Sequence, residues 1–117
     1  MMFQTKKKKI KQYIENISDD ERTSFDLLLC EYISGKLKSN LDTIGIHRIE
    51  IYIDWLDDIK CIGVQGKVNN YYVDIRIYQN EFCISCDEVE PDDDVNYPLE
   101  SEEQLYDIIK KTIDNLK

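Results

Sequence analysis

The sequence predicts an α+β fold, a four-stranded antiparallel meander sheet with helices packed on one face, two N-terminal and one C-terminal. Three observations predict it. Apolar residues recur with helical spacing at both ends of the chain. They alternate with period two from Gly45 to Asp87. Short turn signals separate the alternating runs. A length of 117 residues favours a single α+β domain spanning 1–117, large enough for a core without disulfide or metal staples.

Lys6 to Ile17 carries Ile10, Tyr13, Ile14 and Ile17, the i, i+3, i+4, i+7 stripe of an amphipathic helix. "SDDE" at 18–21 reads as the next helix start, with Ser18 as the cap and Glu21 three residues on. That helix is expected to run to about Lys38, burying Phe25, Leu28, Leu29, Tyr32, Ile33 and Leu37, with Gly35 weakening its last turns.

"IHRIEIYIDWL" then alternates Ile49, Ile51, Ile53 and Trp55 against Glu50, Tyr52 and Asp54. "IKCIGVQGKV" is a weaker strand, whose two glycines suggest a bulge or bend. "NN" at 69–70 suits a hairpin turn, because Asn tolerates positive φ. "YYVDIRIY" turns Tyr71, Val73, Ile75 and Ile77 to one face and Tyr72, Asp74, Arg76 and Tyr78 to the other. After a "QN" turn, "EFCISCDEV" sends Phe82, Ile84 and Cys86 inward and Cys83, Ser85 and Asp87 outward. Four short strands joined by turns make a meander the economical topology. A final helix follows, with Ser101 as N-cap, Glu102 and Glu103 in its first turn, and Leu105, Ile108, Ile109, Ile113 and Leu116 on its apolar face.

Charge is the strongest functional signal. The net charge is −9, although five of the fifteen bases sit in one run, Lys6 to Lys11. Eleven acids and no base lie between Arg76 and Lys110, and six of the eight residues from Asp87 to Asp94 are acidic. Such a field repels nucleic acid and attracts basic proteins. No apolar run approaches the roughly 18 residues of a membrane span, and no apolar segment follows the basic N-terminus as in a signal peptide. Together with four irregularly spaced cysteines, Cys30, Cys61, Cys83 and Cys86, this predicts a cytoplasmic protein without direct nucleic-acid or membrane partners.

The residues argue against a cofactor, a metal or catalysis. Asp92 to Glu103 partly follows a calcium loop, but Tyr97 replaces the turn glycine and Pro98 follows it. The thiols of "CISC" at 83–86 diverge on a strand, because i and i+3 point to opposite faces. His47 is the one histidine, with no nucleophile motif near it. What remains is a binding surface. Carboxylates steer a basic partner and tyrosines anchor it by desolvated contact. The candidate partner-binding residues are Asp87, Glu88, Glu90, Asp92, Asp93 and Asp94 at the acidic exit, with Tyr72, Asp74 and Tyr78 on the open sheet face.

The segment "YYVDIRIYQNEFCISCDEVEPDDDVNYPLESEEQLYDIIKKTIDNL", residues 71–116, combines a hairpin, an acid-rich exit, a Y-P-L element and a closing amphipathic helix. In this it resembles the small acidic immunity proteins of bacterial toxin systems, including contact-dependent growth inhibition, and most of all the TriTu-type immunity family. The likeness covers about two-fifths of the chain. It implies a non-enzymatic antitoxin that neutralises a cognate toxin domain, often a nuclease. The alternative is a non-catalytic adaptor or regulatory module for a basic protein.

Overall fold

A computed structural model of the chain describes residues 2–55, 59–86 and 96–115. Four helices, α1 (Met2–Glu15), α2 (Ser24–Ser34), α3 (Lys36–Ile44) and α4 (Glu102–Asp114), cover one face of a sheet. The sheet strands are β1 (His47–Trp55), β2 (Ile59–Val68), β3 (Tyr71–Ile77), β4 (Glu81–Cys86) and β5 (Asn96–Pro98). They lie in the order β1-β2-β3-β4-β5 and are antiparallel throughout, so the α+β class and the meander hold.

Two elements exceed the expected count. The single helix expected from residue 18 to 38 is two helices. Gly35 adopts φ +83, a left-handed conformation that ends α2 and turns the chain into α3. Its start also moves. Ser18 makes no side-chain cap, and Asp19–Glu21 form only a 3-10 turn. The cap is Thr23, whose Oγ1 accepts from the Asp26 amide at 3.2 Å while Asp26 Oδ2 accepts from the Thr23 amide at 3.0 Å. Burial explains the choice: Asp19, Asp20 and Glu21 offer nothing to the core, whereas a start at Ser24 buries Phe25, Leu28 and Leu29. The additional strand is β5. It pairs with β4 over three residues, and Tyr97 stacks on Phe82 with centroids 5.4 Å apart.

Both expected hairpin turns form, the first with Asn69 at φ +55. One of the two β2 glycines, Gly66, lies at a bulge as expected. The bulge opposite Gly66 has its extra residue in β1, where three residues span two of β2 and Arg48 takes φ +55. A second irregularity, near Asp54, adds a residue to β2.

The core lies between the layers. Ile10, Phe25, Leu28, Leu37, Leu105 and Ile109 from the helices meet Ile53, Ile62, Val64, Val73, Ile75 and Phe82 from the sheet. Each large side chain removed from water here contributes roughly 1.5–3 kcal/mol. Because Ile49, Ile53, Val73, Ile75 and Ile77 are buried, the register is the expected one, and the polar face is the one the helices leave uncovered. No helix among the described residues is long and apolar enough to cross a membrane. The acids Asp87, Glu88, Glu90, Asp92, Asp93 and Asp94, the Trp55 side chain and Leu116 lie outside the described residues.

Candidate functional site, the open sheet face

The uncovered face is a grid set by strand register. One row runs across all five strands: Tyr52, Gly63, Arg76, Cys83 and Asn96. The adjacent row is Glu50, Gln65, Asp74 and Ser85, and Lys67 stands opposite Tyr72. Glycine at 63 has a specific use. A Cβ built there would lie 2.0 Å from Tyr52 Cζ, so the Tyr52 ring lies across the bare backbone of β2. Burial raises the Tyr52 phenol above its ordinary pKa, and the Asp74 carboxylate adds to the rise against the opposing pull of Arg76.

Of the predicted residues on this face, Tyr72 is the most open, with 59% of its surface exposed, and the Lys67 ammonium sits 4.7 Å from its ring centroid. Asp74 Oδ2 meets Arg76 Nε at 3.5 Å, a long contact, while Asp74 Oδ1 is buried with no hydrogen-bond partner. Asp74 in turn is the main cause of a raised Arg76 pKa, followed by a hydrogen bond with Tyr78. Tyr78 is half-buried at the end of β3, and with Asp74, Arg76, Glu81, Ser85 and Asn96 it lines a shallow depression of about 440 Å³. A smaller one of about 210 Å³ lies among Arg48, Glu50, Gln65, Lys67 and Tyr72. The six acids between Cys86 of β4 and Asn96 of β5 in the sequence lie outside the described residues.

Tyr52 also belongs to the site. It is 39% exposed and braced on Gly63, and a glycine facing an outward tyrosine on a neighbouring strand is the signal that marks it. Gln65 and Lys67 likewise join from β2, whose glycines obscure its alternation. The described face is less acidic than the sequence suggests: Glu50, Asp54, Asp74 and Glu81 are set against Arg48, Lys67 and Arg76.

The remaining candidate chemistry is dispersed. None of the four cysteines is in a disulfide. Cys83 lies on the open face opposite Arg76, whereas Cys86 packs against the core. Burial pushes the Cys61 thiol above its ordinary pKa. His47 Nδ1 lies 3.1 Å from Asp42 Oδ1 in solvent. No group of three or more His, Cys, Asp or Glu among the described residues is arranged to hold a metal ion. Comparison with protein-family models, with curated proteins and with solved structures gave no match to this chain.

Proposed function

We propose that this protein is a cytoplasmic immunity protein that binds a cognate toxin domain and neutralises it without catalysis. The observation that carries the reading is the pair of exposed tyrosines, Tyr52 and Tyr72, each braced on an otherwise open sheet face. Tyrosines held in one orientation lose little entropy on binding and serve as anchors. The exit loop adds charge. Its six acids steer a basic domain, such as a nuclease with a phosphate-binding groove, and occlude that groove once docked. The likeness of residues 71–116 to TriTu-type immunity proteins supports the same reading.

The nearly balanced charge of the described face favours a second reading, an adaptor or regulatory module that grips its partner mainly through the tyrosines. Genetic context and kinetics separate the two. An immunity protein is encoded beside a toxin reading frame, and co-expression protects cells from that toxin. Reversing Asp92, Asp93 and Asp94 to Lys then slows association by about tenfold or more at low salt and weakens protection. Association unchanged by the reversal removes the acidic loop from the mechanism, and an absence of protection by the wild-type chain removes the immunity reading.

A further inference from the structure

One corner of the open face runs against the charge of the chain. Arg48 and Lys67 line the depression of about 210 Å³ together with Glu50, Gln65 and Tyr72, although the formal net charge of the whole chain is −9. Local packing brings the two cations together. A Cβ at Gly66 would lie 2.4 Å from Ile46 Cγ2 and 3.0 Å from the His47 carbonyl oxygen, so the bare backbone of β2 lets the start of β1 come close. There β1 takes up its extra residue, and Arg48 adopts φ +55. A side chain with a Cβ is disfavoured in that left-handed conformation, and such strain collects at sites of function. Among the described residues neither Arg48 nor Lys67 forms an ion pair, even with Glu50 in the same depression. Arg48 is exposed, and the Lys67 ammonium rests on the Tyr72 ring rather than on a carboxylate.

We propose, resting on the reading of the open face as a partner-binding surface, that its Arg48–Lys67 corner receives a single side-chain carboxylate, an aspartate or glutamate of the docked protein. Charge sets the number. Arg48 and Lys67 against Glu50 leave a formal +1, which one carboxylate neutralises and a doubly charged phosphate exceeds. Donors suit the group: the guanidinium presents a fork to both carboxylate oxygens, and the Lys67 ammonium and Gln65 amide are further donors beside it. Size sets the source. The depression is open and smaller than the roughly 300–1,000 Å³ that encloses a small molecule, so a free ligand would keep most of its water. A carboxylate delivered on a docked surface meets the same donors without a separate association cost. Tyr72 borders the corner, so the partner's acid falls beside a tyrosine anchor. The partner surface is thereby specified at one point. It is acidic opposite Arg48 and Lys67, even where it is basic elsewhere to meet the exit acids. A uniformly basic surface is opposed at this corner, so the two cations select register and partner.

NMR titration of the isotope-labelled full chain tests this without the partner. The probe is glutamate blocked at both termini by acetyl and amide groups, with blocked glutamine and inorganic phosphate as comparators at equal ionic strength. Blocked glutamate is expected to move the signals of Arg48, Gly66, Lys67, Tyr72 and the Gln65 side-chain amide to saturation, and blocked glutamine to leave them in place. Lys67→Gln and Arg48→Gly each weaken that response about threefold. Arg48→Gly also separates use from structure: glycine takes φ +55 without strain, so the thermal midpoint stays close to that of the wild type. Lys110→Gln, on α4, leaves the response unchanged. Signals that stay still, or that move equally with blocked glutamine, overturn the proposal. So does a response of wild-type strength in both Arg48→Gly and Lys67→Gln. Tighter binding of phosphate than of blocked glutamate assigns the corner to a free phosphate ion and overturns the carboxylate. A corner that fails these tests leaves partner binding by the tyrosines standing. A corner that responds as expected, in a chain that protects cells from no toxin, keeps the carboxylate site and removes only the immunity reading.

Discussion

Two aspartates separate the layers of this molecule. Asp26, in the helical layer, is 4% exposed, and both its oxygens are occupied: Oδ1 accepts from the Tyr13 hydroxyl at 3.0 Å, and Oδ2 accepts from the Thr23 amide and hydroxyl, each at 3.0 Å. Asp74, on the sheet face, has one long contact to Arg76 and one oxygen with no partner. The tyrosines divide in the same way. Tyr106 donates to Glu31 Oε1 at 2.5 Å, and Asn40 Nδ2 donates to both of them, so one polar triangle ties α2, α3 and α4 together. Tyr52 and Tyr72 rest on a glycine and a lysine with much of each ring open. Asp26 and the Glu31–Asn40–Tyr106 triangle behind the sheet complete their interactions internally and hold the fold, with the buried Arg22 Nε as an exception that has no hydrogen-bond partner. The polar groups in front are oriented but not fully used, which is what a binding surface requires.

The largest expected effect lies behind the sheet. Asp26→Ala removes three hydrogen bonds to a buried carboxylate and detaches the start of α2 from α1, and urea denaturation should show a loss of about 3 kcal/mol. Tyr106→Phe leaves Glu31 without its strongest donor and should cost about 1–2 kcal/mol. The same residue gives a pH test. Burial and the hydrogen bond to Glu31 raise the Tyr106 phenol above its ordinary value of 10.0. The folded state therefore keeps a proton that the unfolded chain releases. That stability is fully present below about pH 10 and is lost as pH rises toward the folded value. Tyr106→Phe should flatten this alkaline limb of the stability profile.

In front of the sheet the expected stability effects are small. Gly63→Ala displaces the Tyr52 ring, which can swing into solvent, at a cost of about 1 kcal/mol or less, and the NMR signals of that ring should move. Asp74→Asn should change stability by no more than about 0.5 kcal/mol, since it gives up a weak ion pair and relieves an unpartnered carboxylate oxygen. A cost at Asp74 matching that at Asp26 would erase the contrast between the layers.

The sequence makes the layers legible because periodicity reports burial. The alternation in "IHRIEIYIDWL" and "YYVDIRIY" identifies the polar face residue by residue, and Ser101 marks the start of α4, where its Oγ accepts from the Gln104 amide. Misreadings arise where a local signal meets a tertiary one. "SDDE" and "TSFD" both resemble helix starts, and the contact of Asp26 with Tyr13, thirteen residues away, helps select the second. Gly35 sits within a helical pattern, and only its left-handed backbone distinguishes a break from a weak point. β5 is too short for a periodic signal and exists because Tyr97 stacks on Phe82 across the strand pair. On the open face, Tyr72 and Tyr78 are readable from alternation, whereas the seat of Tyr52 depends on cross-strand register, which a single strand does not encode.

The most direct test of the proposed role is the affinity of the chain for the product of any toxin reading frame found beside its own. Calorimetry would compare the wild type with the double variant Tyr52→Ala/Tyr72→Ala, with folding verified by urea denaturation. The account predicts near-wild-type stability and an affinity reduced about a hundredfold or more. An affinity unchanged in the folded double variant would contradict it and show that the open sheet face is not the binding surface.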